Sequence, residues 1–319
     1  MEKRFEELER HEPDSFRRRV VLASLSLPFL PALVGCAAPL QRLRVAGTTR
    51  EGHELLMQSA AAHGLDAFQK LSDLSVSYEG KWGWLAGKLQ PILVDAGFRG
   101  GLQERLLQRE GVVAQGYTGP SGHKQVVRHT AKGAQGDVRV WFNGEEAYDL
   151  ERRAAAALVV DGYSLFLLGP MLLAQRWSNE RVLELELTGT ERLTIGGHSY
   201  TCDVLRLRMT PGLGLSIADE LAVFIDREER LMRRVRFTLD GLESTRGAIA
   251  EVDTVEHVKL HGIRWPTRFH ERLLRPVPLS VHQWQMSGLD VNRGLTLDEV
   301  SAATFAGKAE APAAFAKIG

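Results

Sequence analysis

The chain has 319 residues, 40 basic and 40 acidic side chains, and a formal net charge of zero. Such a balance argues against a dedicated nucleic-acid binder, which would carry a basic surplus. Residues 1–35 hold six charges of each sign, so the remainder is neutral too and, at some 280 residues, long enough to bury a large core.

In chain order, the first feature is a basic cluster, Arg17, Arg18 and Arg19, followed by an uncharged apolar run over 20–34. That run is shorter than the roughly 20 apolar residues a membrane span needs, and it suits the core of a signal peptide. It ends in Leu33-Val34-Gly35-Cys36, which resembles the lipobox of bacterial lipoproteins. The resemblance implies cleavage before Cys36, acylation of its thiol, and anchoring to a membrane by the acyl chains, each buried methylene contributing about 0.8 kcal/mol. Arg17 and Arg18, with Ser15 and Phe16 before them, resemble a twin-arginine export motif. Ala37 stands where an Asp would resemble the inner-membrane retention signal, so the expected location is the outer membrane, facing the periplasm. With Cys36 acylated, Cys202 is the one remaining cysteine, and an intrachain disulfide is excluded.

The expected organisation is an export signal at 1–35, a tether at 36–50 and a single domain at 51–319. Residues 51–71 carry apolar side chains at helical spacing, with Gly64 as a possible break. Period-two alternation follows at 74–78 and 138–142. It is clearest in the second half, at 200–207, in hairpins pairing 221–225 with 235–239 and 252–260 with 263–274, and at 281–286. Ten or eleven strands with short connections predict one large antiparallel sheet, a mainly β (α+β) fold.

Two segments interrupt that rhythm. Residues 82–94 are apolar and broken by Gly and Pro. Residues 151–176 are helical in composition, with Gly162 and Gly169-Pro170 expected to divide them into short helices. The stretch 165–173 is apolar on all sides, so it must be covered all round or face something apolar.

This order of elements is similar to that of the lipoprotein-carrier superfamily of LolA and LolB. Two stretches carry most of the likeness, LAVFIDREERLMRRVRF at 221–237 and VKLHGIRWPTRF at 258–269. The ending LDVNRGL at 289–295, ahead of Phe305, adds to it. The resemblance implies an antiparallel half-barrel, unclosed, curved around short helices, with an apolar cavity for acyl chains. On that basis Leu165, Phe166, Leu168, Met171 and Leu172 are candidate cavity or lid residues, and Trp82, Trp84 and Leu85 are candidates for its mouth; plain core is the alternative for all eight.

Chemistry is weakly marked. His257 and His261 lie four apart in an expected strand, about 13 Å, too far to share a metal ion. His123 with His129, and His198 with Cys202, fail similarly. Ser164 lacks a nucleophile elbow, and the glycines at 212–214 lack phosphate-loop spacing. Asp226, Glu228 and Glu229 read as a solvated charged turn. No catalytic residue, cofactor or metal ligand is therefore assigned. The leading expectation is a non-enzymatic envelope lipoprotein that binds a lipid or an acylated protein. The alternatives are a sensor or scaffold that binds another envelope protein through its sheet, and a periplasmic hydrolase with an unmarked site.

Overall fold

A computed structural model describes residues 47–130, 136–301, 305 and 307–312. Arg17, Arg18 and Cys36, and with them the export signal and the first part of the tether, lie outside the described residues.

All thirteen strands among the described residues share one sheet. In chain order these are β1 (Asp73–Trp82), β2 (Gly101–Leu107), β3 (Val112–Gly119), β4 (Gly122–His129), β5 (Asp137–Phe142), β6 (Glu145–Ala147), β7 (Val182–Ile195), β8 (His198–Met209), β9 (Asp219–Asp226), β10 (Met232–Thr238), β11 (Ile249–Leu260), β12 (Ile263–Arg275) and β13 (Leu279–Val291). Each strand pairs antiparallel with its neighbours, and β1 pairs with β13, which joins the two halves of the chain. Strands β6 and β7 form the free edges, so the half-barrel is unclosed.

Between those edges the chain crosses the concave face as α5 (Leu150–Leu168) and α6 (Pro170–Ser178), bent by 106° at Gly169. Pro170 has no N–H to continue the first helix and suits the first position of the second. Earlier helices are α1 (Arg50–His63), α2 (Leu65–Phe68), α3 (Trp84–Leu89) and α4 (Pro91–Val94); a short α7 (Leu297–Ser301) follows the sheet. Gly64 ends α1 at φ 102°, a left-handed cap that suits glycine.

Helix α5 explains the all-round apolar stretch. Every residue from Ala154 to Leu168 is buried, so the helix is the axis around which the sheet curves. Full burial of one Leu, Phe or Met side chain contributes about 1.5–3 kcal/mol. No single described helix is long and apolar enough to cross a membrane.

Three expectations need correction. Gly162 does not break the helix: α5 runs through it, because its neighbours are packed on all sides and the bare Cα makes room for the Phe166 ring. The turn at 226–230 is not simply solvated. Asp226 is buried against Arg233, Arg227 and Arg230 both pair with Asp203, and Glu229 pairs with Arg264 at 3.1 Å. Thirteen strands replace ten or eleven, because β2–β4 put Glu104, Gln115, Lys124 and Arg128 on the concave face and so break the alternation.

The outer face of the first strands is covered by the C-terminal segment. Val300 packs with Leu107, Val112, Ala114 and Val127, and Phe305 joins them. The Ala309 N–H donates to Ser77 Oγ, and Leu289 N–H donates to the Glu310 carbonyl.

Candidate functional site

The half-barrel interior holds two distinct spaces, at opposite ends of β2. The larger, about 520 Å³, lies between α5–α6 and the corner where β2 turns into β3. Its apolar wall is Phe68, Leu106, Val113, Leu168 and Leu172. Its polar side is Gln108, Asp161, Ser164, Gln175, Arg176 and Arg181, with Arg109 at the turn. The volume lies within the 300–1,000 Å³ usual for small-molecule sites.

Polar groups at this cavity are held by specific contacts. Asp161, on α5, accepts from Arg128 Nε at 3.1 Å and Nη2 at 2.9 Å, and from the Gly214 N–H at 2.9 Å. Arg128 Nη2 in turn donates to the Gly214 carbonyl at 3.0 Å. Arg181 donates to the Thr130 carbonyl at 2.8 Å. Burial holds the Arg176 guanidinium below its ordinary value. Gln108 Oε1 is buried with no hydrogen-bond partner. Ser164 Oγ donates back to the Val160 carbonyl at 3.0 Å, as a helical serine commonly does.

The second space, about 20 Å³, is aromatic and lies beneath the loop that leads into β2. Trp82, His282, Trp284 and Phe269 form a continuous stack, with centroid spacings of 3.9, 4.5 and 4.8 Å and rings within 17° of parallel. Arg99 lies over Trp82, and Tyr163 on α5 packs against Trp284 at 5.3 Å. Burial, then Arg99, holds His282 well below the ordinary histidine value. Burial pushes the Glu271 carboxyl up to about 7, and it also pushes Glu104 up to about 7.

The eight candidate residues separate in the structure. Leu168 and Leu172 line the larger cavity. Leu165, Phe166 and Met171 are packed core. Trp82 belongs to the aromatic stack, Leu85 is half-buried, and Trp84 on α3 is 75% exposed. Arg99, Glu271 and His282 escape sequence reading because nothing local marks them; β1–β13 and β12–β13 pairing brings their neighbours together. The available signal was a polar residue in the apolar phase of a strand: His282 shares the face of Trp284, and Glu271 that of Phe269.

Among the described residues, no group of three or more His, Cys, Asp or Glu is placed to hold a metal ion. His63 and His257 approach edge-on at 5.9 Å, but His63 Nε2 accepts from the Met232 N–H at 3.0 Å and serves the fold.

The end of the sheet near Trp84 has its own character. Among the described residues, four of the eight exposed large apolar side chains, Trp84, Leu89, Ile217 and Val277, lie on its connections. The connection that carries Trp84 and Leu89 is tied down at two points: Gly83 N–H donates to the Val281 carbonyl on β13 at 2.7 Å, and Gln90 Nε2 donates to the Ser244 carbonyl in the β10–β11 loop at 3.1 Å. The turns at the other end carry charges instead, Arg109 and Glu110, and 227–230.

No protein-family model matches the sequence, and no curated protein is significantly similar to it. Among solved structures, the chain is similar to a putative outer membrane lipoprotein-sorting protein domain from Vibrio parahaemolyticus, at 11% identity and a TM-score of 0.48, over 79% of this chain and 96% of that one. It is similar to a DUF1329 family protein from Desulfovibrio piger at 12% identity and a TM-score of 0.49, over 80% and 99% of the two chains. A LolA superfamily protein from Nitrosomonas europaea aligns at 11% identity and a TM-score of 0.46, over 79% and 97%.

Proposed function

We propose that this chain is a lipid-anchored protein of the bacterial envelope, facing the periplasm from the outer membrane, that holds a lipid or acylated protein segment inside its half-barrel without catalysing a reaction. The observation that carries the reading is the 520 Å³ cavity, with an apolar wall of Leu106, Leu168 and Leu172 facing Arg176 and Arg181. An acyl chain suits the first side, and an acidic or hydrogen-bonding headgroup suits the second. The lipobox at Cys36 supports it, because acyl chains are the abundant apolar ligand at a membrane.

The test is native mass spectrometry of the chain purified from membranes, with binding of a fluorescent fatty acid. One added lipid mass per chain and saturable binding are expected. Leu168→Trp, which fills the cavity, should abolish both. A wild-type chain that carries no lipid and binds no fatty acid would overturn the reading. Separately, Cys36→Ala should move the protein from the membrane to the soluble periplasmic fraction.

The free edge of β7 favours a second reading, partner binding by strand addition, since an edge strand presents unpaired backbone groups. A stoichiometric envelope partner, captured by a chain free of lipid, would favour it.

A further inference from the structure

Arg99 lies in the loop between α4 and β2, at the other end of β2 from the lipid cavity. Its guanidinium is 5.1 Å from the Trp82 ring centroid and 4.8 Å from that of Tyr117. Nη2 donates to the Leu93 carbonyl at 2.9 Å. Nε and Nη1 are buried and have no partner. Three buried arginines, Arg128, Arg233 and Arg236, each meet a carboxylate, at 2.9, 3.1 and 2.9 Å, and Arg105 meets two carbonyls and the Gln103 amide oxygen.

Two more groups with the same need line the same pocket. Tyr78 Oη and Trp284 Nε1 are buried without a partner. Buried donors are almost always paired, so three residues sharing one small space share a requirement for an acceptor. Glu79 also lines the pocket but is exposed, so the buried unpaired groups that remain inside are donors, one of them cationic. Lys124 stands beside the same Tyr117 ring, with its own charge met by Asp95 at 2.6 Å. Glu271 feels Arg99 but makes no ion pair with it, and burial favours its neutral form.

Size narrows the ligand. About 20 Å³ is little more than the roughly 10–15 Å³ that one water requires, so the pocket has room at most for the oxygens of a carboxylate head, with the rest of an acid left in the groove outside. A route is present. The pocket shares Tyr78, Glu79, Gly80, Gly100, Gly101 and Trp284 with a groove of about 1170 Å³ along the outer face of β1, β13 and β12. Of the three glycines, Gly80 and Gly100 sit tightly against Trp284 and the Thr118 carbonyl, and Gly101 has open space beside it.

We propose that Arg99, Tyr78 and Trp284 form a carboxylate-binding site, reached from the outer groove beside Gly101, that takes the terminal carboxylate of an organic acid. The guanidinium supplies the charge, its faces are fixed by Trp82 and Tyr117, and the phenol and indole supply directed hydrogen bonds.

The test is titration of the full chain with sodium octanoate, sodium acetate and 1-octanol, followed by tryptophan fluorescence and calorimetry. Saturable octanoate binding that perturbs the fluorescence is expected, with octanol at least roughly tenfold weaker because it lacks the charge. Arg99→Gln should weaken octanoate by a similar factor. Tyr78→Phe keeps the ring and the fold, and should weaken it severalfold. Each titration is made in the Leu168→Trp background, which fills the other cavity, so octanoate reports on this site alone and the two sites can fail separately. Acetate binding as well as octanoate identifies a small acid; octanoate alone identifies an acyl acid; both support the site. Equal binding of octanol and octanoate, or wild-type affinity in both the Arg99→Gln and Tyr78→Phe variants, would overturn it.

Discussion

Asp161 locks the central helix to its wall. It faces Arg128 from β4 and the Gly214 N–H from the loop between β8 and β9, so one carboxylate joins three parts of the chain. Both charged side chains are almost fully buried. Replacing such a pair with apolar groups can be neutral, but removing one partner leaves an uncompensated buried charge. Asp161→Ala should therefore destabilise the protein by about 3–5 kcal/mol in urea unfolding. A loss below about 1 kcal/mol would mean that Arg128 finds solvent or another acceptor.

Glu271 gives a prediction of a different sign. Burial pushes its carboxyl up to about 7, against an unfolded value near 4.3, so the folded protein favours the neutral form. In that window the folded state binds more protons than the unfolded state. The stability this group contributes is complete at low pH and declines as pH rises toward 7. Glu271→Gln is permanently neutral. Relative to wild type, its stability should rise by about 1–3 kcal/mol between pH 5 and pH 8. Because the buried histidines titrate in both proteins, the difference between them isolates Glu271; a flat difference across that range would refute the assignment.

At the scale of elements, legibility depended on what each strand buries. Strands β9 and β10 alternate cleanly because their inner residues are apolar, as with Leu221, Val223 and Ile225 against Val235 and Phe237. Strands β2 to β4 alternate equally in space but not in chemistry. Glu104 receives a hydrogen bond from Gln115, which in turn accepts from Tyr117, all on the concave face. A period-two count of apolar residues misses such strands, since it assumes an oily interior. The helical composition of 151–176 and the apolar stretch at 165–173 were legible, while the continuity of α5 through Gly162 was not, because a helical glycine costs only about 1 kcal/mol and tertiary packing outweighs it. For the interior sites, Leu168 and Leu172 were named from sequence and line the larger cavity. Arg99, Glu271 and His282 required the long-range pairing of β1 with β13 and of β12 with β13 before they could be seen as neighbours.

The sheet has two unlike ends, and the anchor proposed at Cys36 bears on which of them faces a membrane. Thr49 N–H donates to the Leu185 carbonyl at 2.8 Å. Leu185 lies near the start of β7, where Val182 pairs with Met209, the last residue before the loop that carries Ile217. The described chain therefore begins on the side of the sheet where Trp84, Leu89, Ile217 and Val277 are exposed. An anchor at Cys36, as proposed, would precede the described chain on this side. An indole and three aliphatic side chains suit the interfacial zone, and Lys81 and Lys88 beside them suit anionic headgroups. With Cys36→Ala removing the anchor, the chain should still float with vesicles of phosphatidylethanolamine and phosphatidylglycerol, more weakly at high salt. Adding Trp84→Asp and Val277→Asp should reduce the floated fraction at least severalfold. Stability should change by no more than about 0.5 kcal/mol, because both positions are on the surface. Flotation unaffected by these charges would place the membrane contact elsewhere, and the end carrying Arg109 and the 227–230 turn would then be the surface to test.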